Sequence, residues 1–288
     1  MKTHNGMRVT IFGATGLLGK ALMREWRGDE VVGLGSKDVD IRSQDQVAET
    51  IRLHRPEWTV LAAAYTDVDG CESHSQLAFD VNTHGAANVA KACAQGNVRF
   101  LFLSTDYVFD GTKRTPYEID DPISPQTVYG KSKAAAEAEI RQAHLEFCIL
   151  RTSWVFGVGG KCFPDTILKL AATRAQLDVV SDQRGSPTYT VDLARTIMQL
   201  SRKDARGIVH ATNRGNCTWF DFATEIVAGA QLTTRVRPTS SDKFVRPAKR
   251  PEYSVLSSRS LEQYGIELPT WQDALGRYLA ERGLPTTR

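Results

Sequence analysis

Tyr129 and Lys133 stand four residues apart in "VYGKSK", Val128 to Lys133, where a helical pattern begins. On a helix, positions i and i+4 share a face, so the phenol and the ammonium come close enough to act together. The chemistry this pair suits is proton donation to an oxygen. An unperturbed phenol has a pKa of about 10 and gives up its proton reluctantly near neutrality. A lysine alongside and a helix N-terminus beneath would each favour the phenolate and so lower that value. Lysine-rich helices also supply this spacing with no chemistry attached, and the surrounding elements must decide between the two.

"GATGLLG" supplies the first of those elements: Gly13, Gly16 and Gly19 form G-x-x-G-x-x-G. It follows the apolar, β-branched "RVTIF" (Arg8 to Phe12) and precedes a run whose Leu17, Leu18, Ala21, Leu22 and Trp26 mark one helical face. Strand, glycine turn and helix in that order are a variant of the dinucleotide fingerprint, with backbone N–H groups of Thr15, Gly16, Leu17 and Leu18 at the phosphates. Where the second strand ends, an NAD enzyme usually places an acid against the ribose hydroxyls, and this chain has Gly35, Ser36 and Lys37. Ser36 can hydrogen-bond a 2′-phosphate and Lys37 can pair with it, so NADPH is the expected cofactor, with NADH possible. Asp40 and Ile41 are placed to sit beside the adenine, or Asp40 to cap the next helix.

The theme then repeats: strand-like "VVGL" from Val31, helical "SQDQVAETIRLH" from Ser43, strand-like "WTVLAAA" from Trp58, helical "SQLAFDVNTHGAANVAKACAQ" from Ser75, and strand-like "RFLFLS" from Arg99. The helix bearing Tyr129 and the strand from Phe147 follow. Alternating strands and helices predict an α/β, Rossmann-type doubly wound parallel sheet. Past Pro187 the elements shorten, which predicts a dinucleotide-binding domain over 7–186 with a soft boundary and a smaller, mainly substrate-binding lobe over 187–288. Net charge is +3 in 288 residues without long charged blocks, which argues against a nucleic-acid partner. Cys71, Cys93, Cys148, Cys162 and Cys217 are scattered and odd in number, so neither a disulfide framework nor a zinc site is expected. "MKTHNG" runs into the first strand with no signal-peptide core, and no apolar run reaches membrane-spanning length. A cytoplasmic protein with no membrane partner is expected.

"STDYVFDG" after the fourth strand should deliver Thr105 and Tyr107 to the carboxyl edge of the sheet, where Thr105 meets Tyr129 and Lys133. With the glycine turn, these residues resemble the short-chain dehydrogenase/reductase superfamily, extended type. Together with "AAAYTDVDGCE", "VYGKSK", "RTSWVFG", "DQRGSPT" and "RPEYSVL", they are similar to the dTDP-4-dehydrorhamnose reductase family over most of the chain. The resemblance implies reduction of the 4-keto group of dTDP-4-dehydro-L-rhamnose, with Thr105 on the ketone oxygen, Tyr129 as general acid and Lys133 also on the nicotinamide ribose. It implies cofactor contacts at Ala62, Ala63 and Ala64, and sugar or diphosphate contacts at Thr66, Val68, Tyr107 and Trp154. Arg250, with Arg246 and Lys249, is a candidate to balance the diphosphate. Two positions depart from the family pattern: Leu61 stands where Asn is usual and Ala136 where Gly is frequent. No metal is expected, and the chain is expected as a monomer or homodimer. The alternatives are a reductase of another nucleotide-linked 4-keto-6-deoxy sugar and a non-catalytic NADP-binding module resembling a regulatory subunit of methionine adenosyltransferase.

Overall fold

Apolar residues on both faces make Arg8–Phe12 a fully embedded strand, β1, with only Arg8 exposed. The computed structural model describes residues 6–144 and 146–285. After β1 come α1 (Leu17–Glu25), β2 (Glu30–Leu34), α2 (Gln44–His54) and β3 (Trp58–Leu61). A short α3 (Val68–Ser73) precedes α4 (Ser75–Phe79), a π-helical turn (Asp80–His84) and α5 (Gly85–Gln95), which leads into β4 (Arg99–Thr105). A 3-10 turn (Asp106–Val108) and a loop connect β4 to α6 (Val128–Ala143) and β5 (Phe147–Thr152). The remaining elements are β6 (Val155–Phe156), α7 (Phe163–Ala171), β7 (Gln176–Val180), β8 (Arg184–Gly185), β9 (Thr188–Tyr189), α8 (Thr190–Arg202), β10 (Gly207–His210), β11 (Cys217–Thr218), α9 (Trp219–Gly229), β12 (Arg235–Thr239), α10 (Arg259–Glu262) and α11 (Trp271–Glu281).

The main sheet has the order β10-β5-β4-β3-β1-β2, and every pairing in it is parallel. The chain begins in the middle, goes outward to β2, then returns past β1 to β3. The strand order therefore reverses between β1 and β3, which is where a doubly wound sheet opens a ligand crevice. Successive side chains point to opposite faces. Val9, Ile11, Val60, Leu101 and Leu150 pack with Leu22 of α1 and with Leu193, Ile197 and Leu200 of α8. Phe12, Leu61, Phe100, Phe102 and Ile149 pack on the other face with Val47, Val89, Cys93, Ala136 and Ile140, from α2, α5 and α6.

A separate core, including Phe156, Leu177, Phe222, Ile226, Trp271, Leu275 and Tyr278, builds the smaller lobe. This lobe interleaves with the sheet layer: β10 is an edge strand of the main sheet, while Phe156 and Ile167 belong to the lobe. The line drawn at residue 186 therefore cuts across both cores, because a parallel edge strand needs a crossover helix, and α8 supplies it. The segment expected as one helix from Ser75 to Gln95 is continuous, with a π-helical turn at Asp80–His84 in which buried Asn82 and Thr83 spend their side chains on partners outside the helix.

Gly19 sets how closely α1 approaches the glycine turn. A Cβ there would fall on the Gly13 carbonyl oxygen and 2.6 Å from Ala14 Cα. Gly19→Ala should lower stability by about 1–3 kcal/mol through overpacking and also weaken dinucleotide binding. Urea unfolding and a cofactor titration check this, and wild-type values in both would contradict it.

Candidate active site

The nucleotide cleft is built mostly from backbone. Phe12 closes β1, and its carbonyl accepts from the amides of Ala62 (2.9 Å) and Ala63 (3.0 Å), while Leu34 closes β2 and accepts from Gly13 (2.8 Å) and Ala14 (3.0 Å). Gly13 turns at φ +91°, and a Cβ on it would stand 2.7 Å from Ala63 Cα, so only glycine fits. Gly16 begins α1 with no side-chain cap, which leaves the first-turn amides for an anion. A cavity of about 300 Å³ opens beside this turn, with Gly13, Ser36, Asp40, Ile41, Ala63 and Ala64 in its wall. Apolar walls with a few polar groups suit an adenosine.

The end of β2 carries more charge than Gly35, Ser36 and Lys37 alone. Lys37 is exposed and is not in the cavity wall, whereas Arg42 is. Carboxylates are also present at the end of β2: Asp38 Oδ2 accepts from the Gly35 amide (2.7 Å), and Asp40 pairs with Arg42 (2.7 Å). The Arg42 guanidinium holds the Asp40 carboxyl below its ordinary range. Asp40 does not cap α2, because Ser43 does, accepting from the Gln46 amide. Thr15 lies against Gly35, and Leu17 and Leu18 are partly buried at the start of α1.

The Thr105 hydroxyl faces the Tyr129 phenol, and Lys133 follows one turn later on the same helix. Thr105 ends β4 in register with Thr152 of β5. Its hydroxyl donates to Asp106 Oδ1 (3.0 Å) and accepts from the Tyr107 amide (3.2 Å). Tyr129 is the second residue of α6, whose cap Thr127 accepts from the Gly130 amide (3.0 Å). The Tyr107 and Tyr129 rings meet edge to face with centroids 5.7 Å apart. Lys133, one turn further on, is 2% exposed, with its Nζ 3.9 Å from the centroid of the Phe102 ring.

The electrostatics run opposite to the expectation. Burial raises the Tyr129 phenol above its ordinary value; the Thr105 hydroxyl opposes this and the Asp106 charge adds to it. Burial pulls Lys133 down to about 7, against the attraction of Glu137. Asp106 is pushed up to about 6 by burial, with hydrogen bonds to Ser254 and Thr105 opposing. Lys133 is thus no fixed cation pressing on Tyr129. Desolvation dominates both groups, and an ionic partner brought by a ligand would have to reverse it.

Thr66 is exposed, and Val68 is the first residue of α3, behind the Asp67 cap. Trp154 adopts φ +46°, rare for a bulky residue, with its indole stacked on Trp219 at 3.4 Å between centroids and 6° between planes. Gly185 leaves room for that ring, since a Cβ there would lie 2.5 Å from it. Arg250 is not a free counter-charge: Asp69 of α3 takes both of its terminal nitrogens, and Arg246 also reaches Asp69. A cavity of about 330 Å³ lies between Tyr107, Ser124, Gln126, Lys249, Arg250 and Glu252, and Thr66, Val68 and Trp154 are not among its walls. Sequence reasoning missed Arg42, Asp69, Asn82, Glu137 and Trp219. Asn82 alone carried a signal, a polar residue inside an otherwise helical run.

A family model described as "RmlD substrate binding domain" matches residues 7–283. The chain belongs to that family. It is 42% identical over 277 residues to the spore coat polysaccharide biosynthesis protein SpsK of Bacillus subtilis, covering 96% of this chain and 98% of that one. It is 41% identical over 300 residues to a dTDP-4-dehydrorhamnose reductase of Mycobacterium tuberculosis, with 98% of each chain covered. A solved dTDP-4-dehydrorhamnose reductase of Bacillus anthracis in complex with NADP superposes with a TM-score of 0.94 at 36% identity, over 96% of this chain and 99% of that one. Among the described residues, no helix is long and apolar enough to cross a membrane.

A lysine whose folded pKa lies below its unfolded value of about 10.4 binds fewer protons folded than unfolded across that interval. With Lys133 down to about 7, stability should rise as pH rises from about 7 towards 10. Lys133→Met should flatten that rise, as read from urea midpoints at several pH values. Equal slopes in wild type and variant would contradict the buried, depressed lysine.

Proposed function

We propose that this chain is an NADPH-dependent reductase of nucleotide-linked 4-keto-6-deoxy sugars, acting on dTDP-4-dehydro-L-rhamnose to give dTDP-L-rhamnose for a cell-surface polysaccharide. The observation that supports the reading is the Thr105 hydroxyl facing the Tyr129 phenol at the carboxyl edge of the sheet, with Lys133 one turn along α6 and a glycine turn at the same edge. Bound NADPH supplies a hydride to C4 of the sugar. The chain's part is to hold the ketone and move one proton. As negative charge grows on the ketone oxygen, the Thr105 hydroxyl turns from Asp106 to meet it, and Tyr129 passes over its proton as general acid. Lys133 holds the nicotinamide ribose and, charged, stabilises the resulting phenolate. Tyr107 and Arg250, which line the second cavity, would face the sugar and diphosphate, and Thr66, Val68 and Trp154 would contact the sugar where it extends beyond that cavity. Arg42, in the wall of the adenosine cavity, is the cation we assign to the 2′-phosphate in place of Lys37.

The test is loss of NADPH in the presence of dTDP-, UDP- and GDP-linked 4-keto-6-deoxy sugars. Turnover should be greatest with dTDP-4-dehydro-L-rhamnose, and no turnover with any of them would sink the reading. Tyr129→Phe should keep the fold and lose turnover by about 10²–10⁴-fold, the usual scale of general acid catalysis; near-wild-type kcat would remove Tyr129 from that role. Arg42→Ala should weaken NADPH more than NADH, and Lys37→Ala should affect neither, as measured by dissociation constants. The reverse pattern would restore Lys37 as the phosphate partner.

A further inference from the structure

Glu137 lies on α6, one turn beyond Lys133 and two beyond Tyr129, and is 3% exposed. Its Oε1 accepts from the hydroxyl of Ser104 and from Arg151 Nε (3.0 Å), and its Oε2 accepts from Arg151 Nη2 (2.7 Å). Ser104 immediately precedes Thr105 on β4, and Arg151 is its register partner on β5. Arg151 is itself 2% exposed, reaches the Ile119 carbonyl (3.3 Å) and packs over the Phe109 ring at 5.1 Å. A single carboxylate thus joins the strand that delivers Thr105 to the helix that delivers Tyr129 and Lys133. A bare ion pair buried this deeply is seldom favourable against apolar replacement, so stability alone is a weak reason for it.

We propose that Glu137 is a positioning residue of this site, clamping β4, β5 and α6 together and so fixing where Thr105, Tyr129 and Lys133 stand relative to one another. This rests on the reading that those three residues perform the chemistry. The same carboxylate is the charged group that supports the Lys133 ammonium against burial. Around the clamp, His210 lies 3.4 Å from Arg151, Tyr107 meets Tyr129 edge to face, and burial keeps the thiols of Cys71, Cys93 and Cys148 protonated. Glu72 of α3 accepts from the Val128 amide, Asp69 holds Arg250, Asp80 and His84 face each other on the π-helical turn, Asp106 accepts from Thr105, Arg99 pairs with Asp204, and Lys91 of α5 is exposed.

Glu137→Gln keeps the shape and removes the charge. Two readouts follow: titration of the Lys133 side chain by nuclear magnetic resonance in protein without added cofactor, and steady-state kinetics with the best nucleotide sugar. The Lys133 midpoint should fall by about one unit, the scale of a lost neighbouring charge. kcat should fall about 10- to 100-fold with KM for the sugar unchanged, as expected from misplacement of reacting groups. A purely structural role would lower the melting temperature without moving the Lys133 titration. Should Glu137→Gln fail to fold, Ser104→Ala decides, since it removes one hydrogen bond and leaves the Arg151 pair: it should lower kcat at wild-type NADPH affinity. An unmoved Lys133 titration in folded Glu137→Gln, or wild-type kcat in either folded variant, overturns the proposal. A wrong substrate assignment shows up separately, as wild type that does not consume NADPH, while the titration remains readable.

Discussion

A parallel sheet covered on both faces leaves its working surface at one edge, and that constraint governs this molecule. All six strands of the main sheet run the same way, so their carboxyl ends share one side. Because the chain enters in the middle, β2 and β3 leave β1 in opposite directions and a crevice opens between their crossovers. The glycine turn lies in this crevice, with the Phe12 and Leu34 carbonyls each holding two amides across it. The exit of β4 and the start of α6 lie along the same edge, which is why Thr105 and Tyr129, 24 positions apart in sequence, face each other, with Lys133 one turn behind against Phe102 of β4.

Burial is the second determinant, and it works against the groups placed there. Tyr129 is driven towards its neutral form, Lys133 towards the amine and Asp106 towards the acid. Groups desolvated in this way respond strongly to a ligand that brings charge. The surrounding polar network ties the site together, although Asp106 Oδ2 and Thr152 Oγ1 are buried without a partner. Asn82 ties the loop after β3 to Ser132 of α6, Thr83 donates to the Ser132 carbonyl, and Glu137 ties α6 to the two strands behind it.

Much of the sheet layer was legible because its signals are local. The strands from Arg8, Val31, Trp58, Arg99 and Phe147 were each short apolar runs bounded by turns, and the helix starts at Ser43 and Val128 fell within a residue of their observed positions. The glycine turn and the Tyr129–Lys133 spacing were equally local. What escaped was decided by tertiary contact. The Asp69–Arg250 pair joins residues 181 apart, and the Glu137–Arg151 pair depends on strand register. Arg42 reaches the cavity wall after a turn in which Asp38 accepts from the Gly35 amide, and no spacing rule describes that turn. In the smaller lobe, β7 and β12 pair across more than fifty residues, a contact that no local pattern signals.

The central claim is that this edge of the sheet delivers a hydride to C4 and a proton to its oxygen. It is tested most directly by reacting NADPH deuterated at nicotinamide C4 with dTDP-4-dehydro-L-rhamnose and locating the label in the product. The account predicts one deuterium, bound to C4 of dTDP-L-rhamnose and transferred from a single face of the nicotinamide. Product without deuterium, or with deuterium at any other carbon, would contradict it.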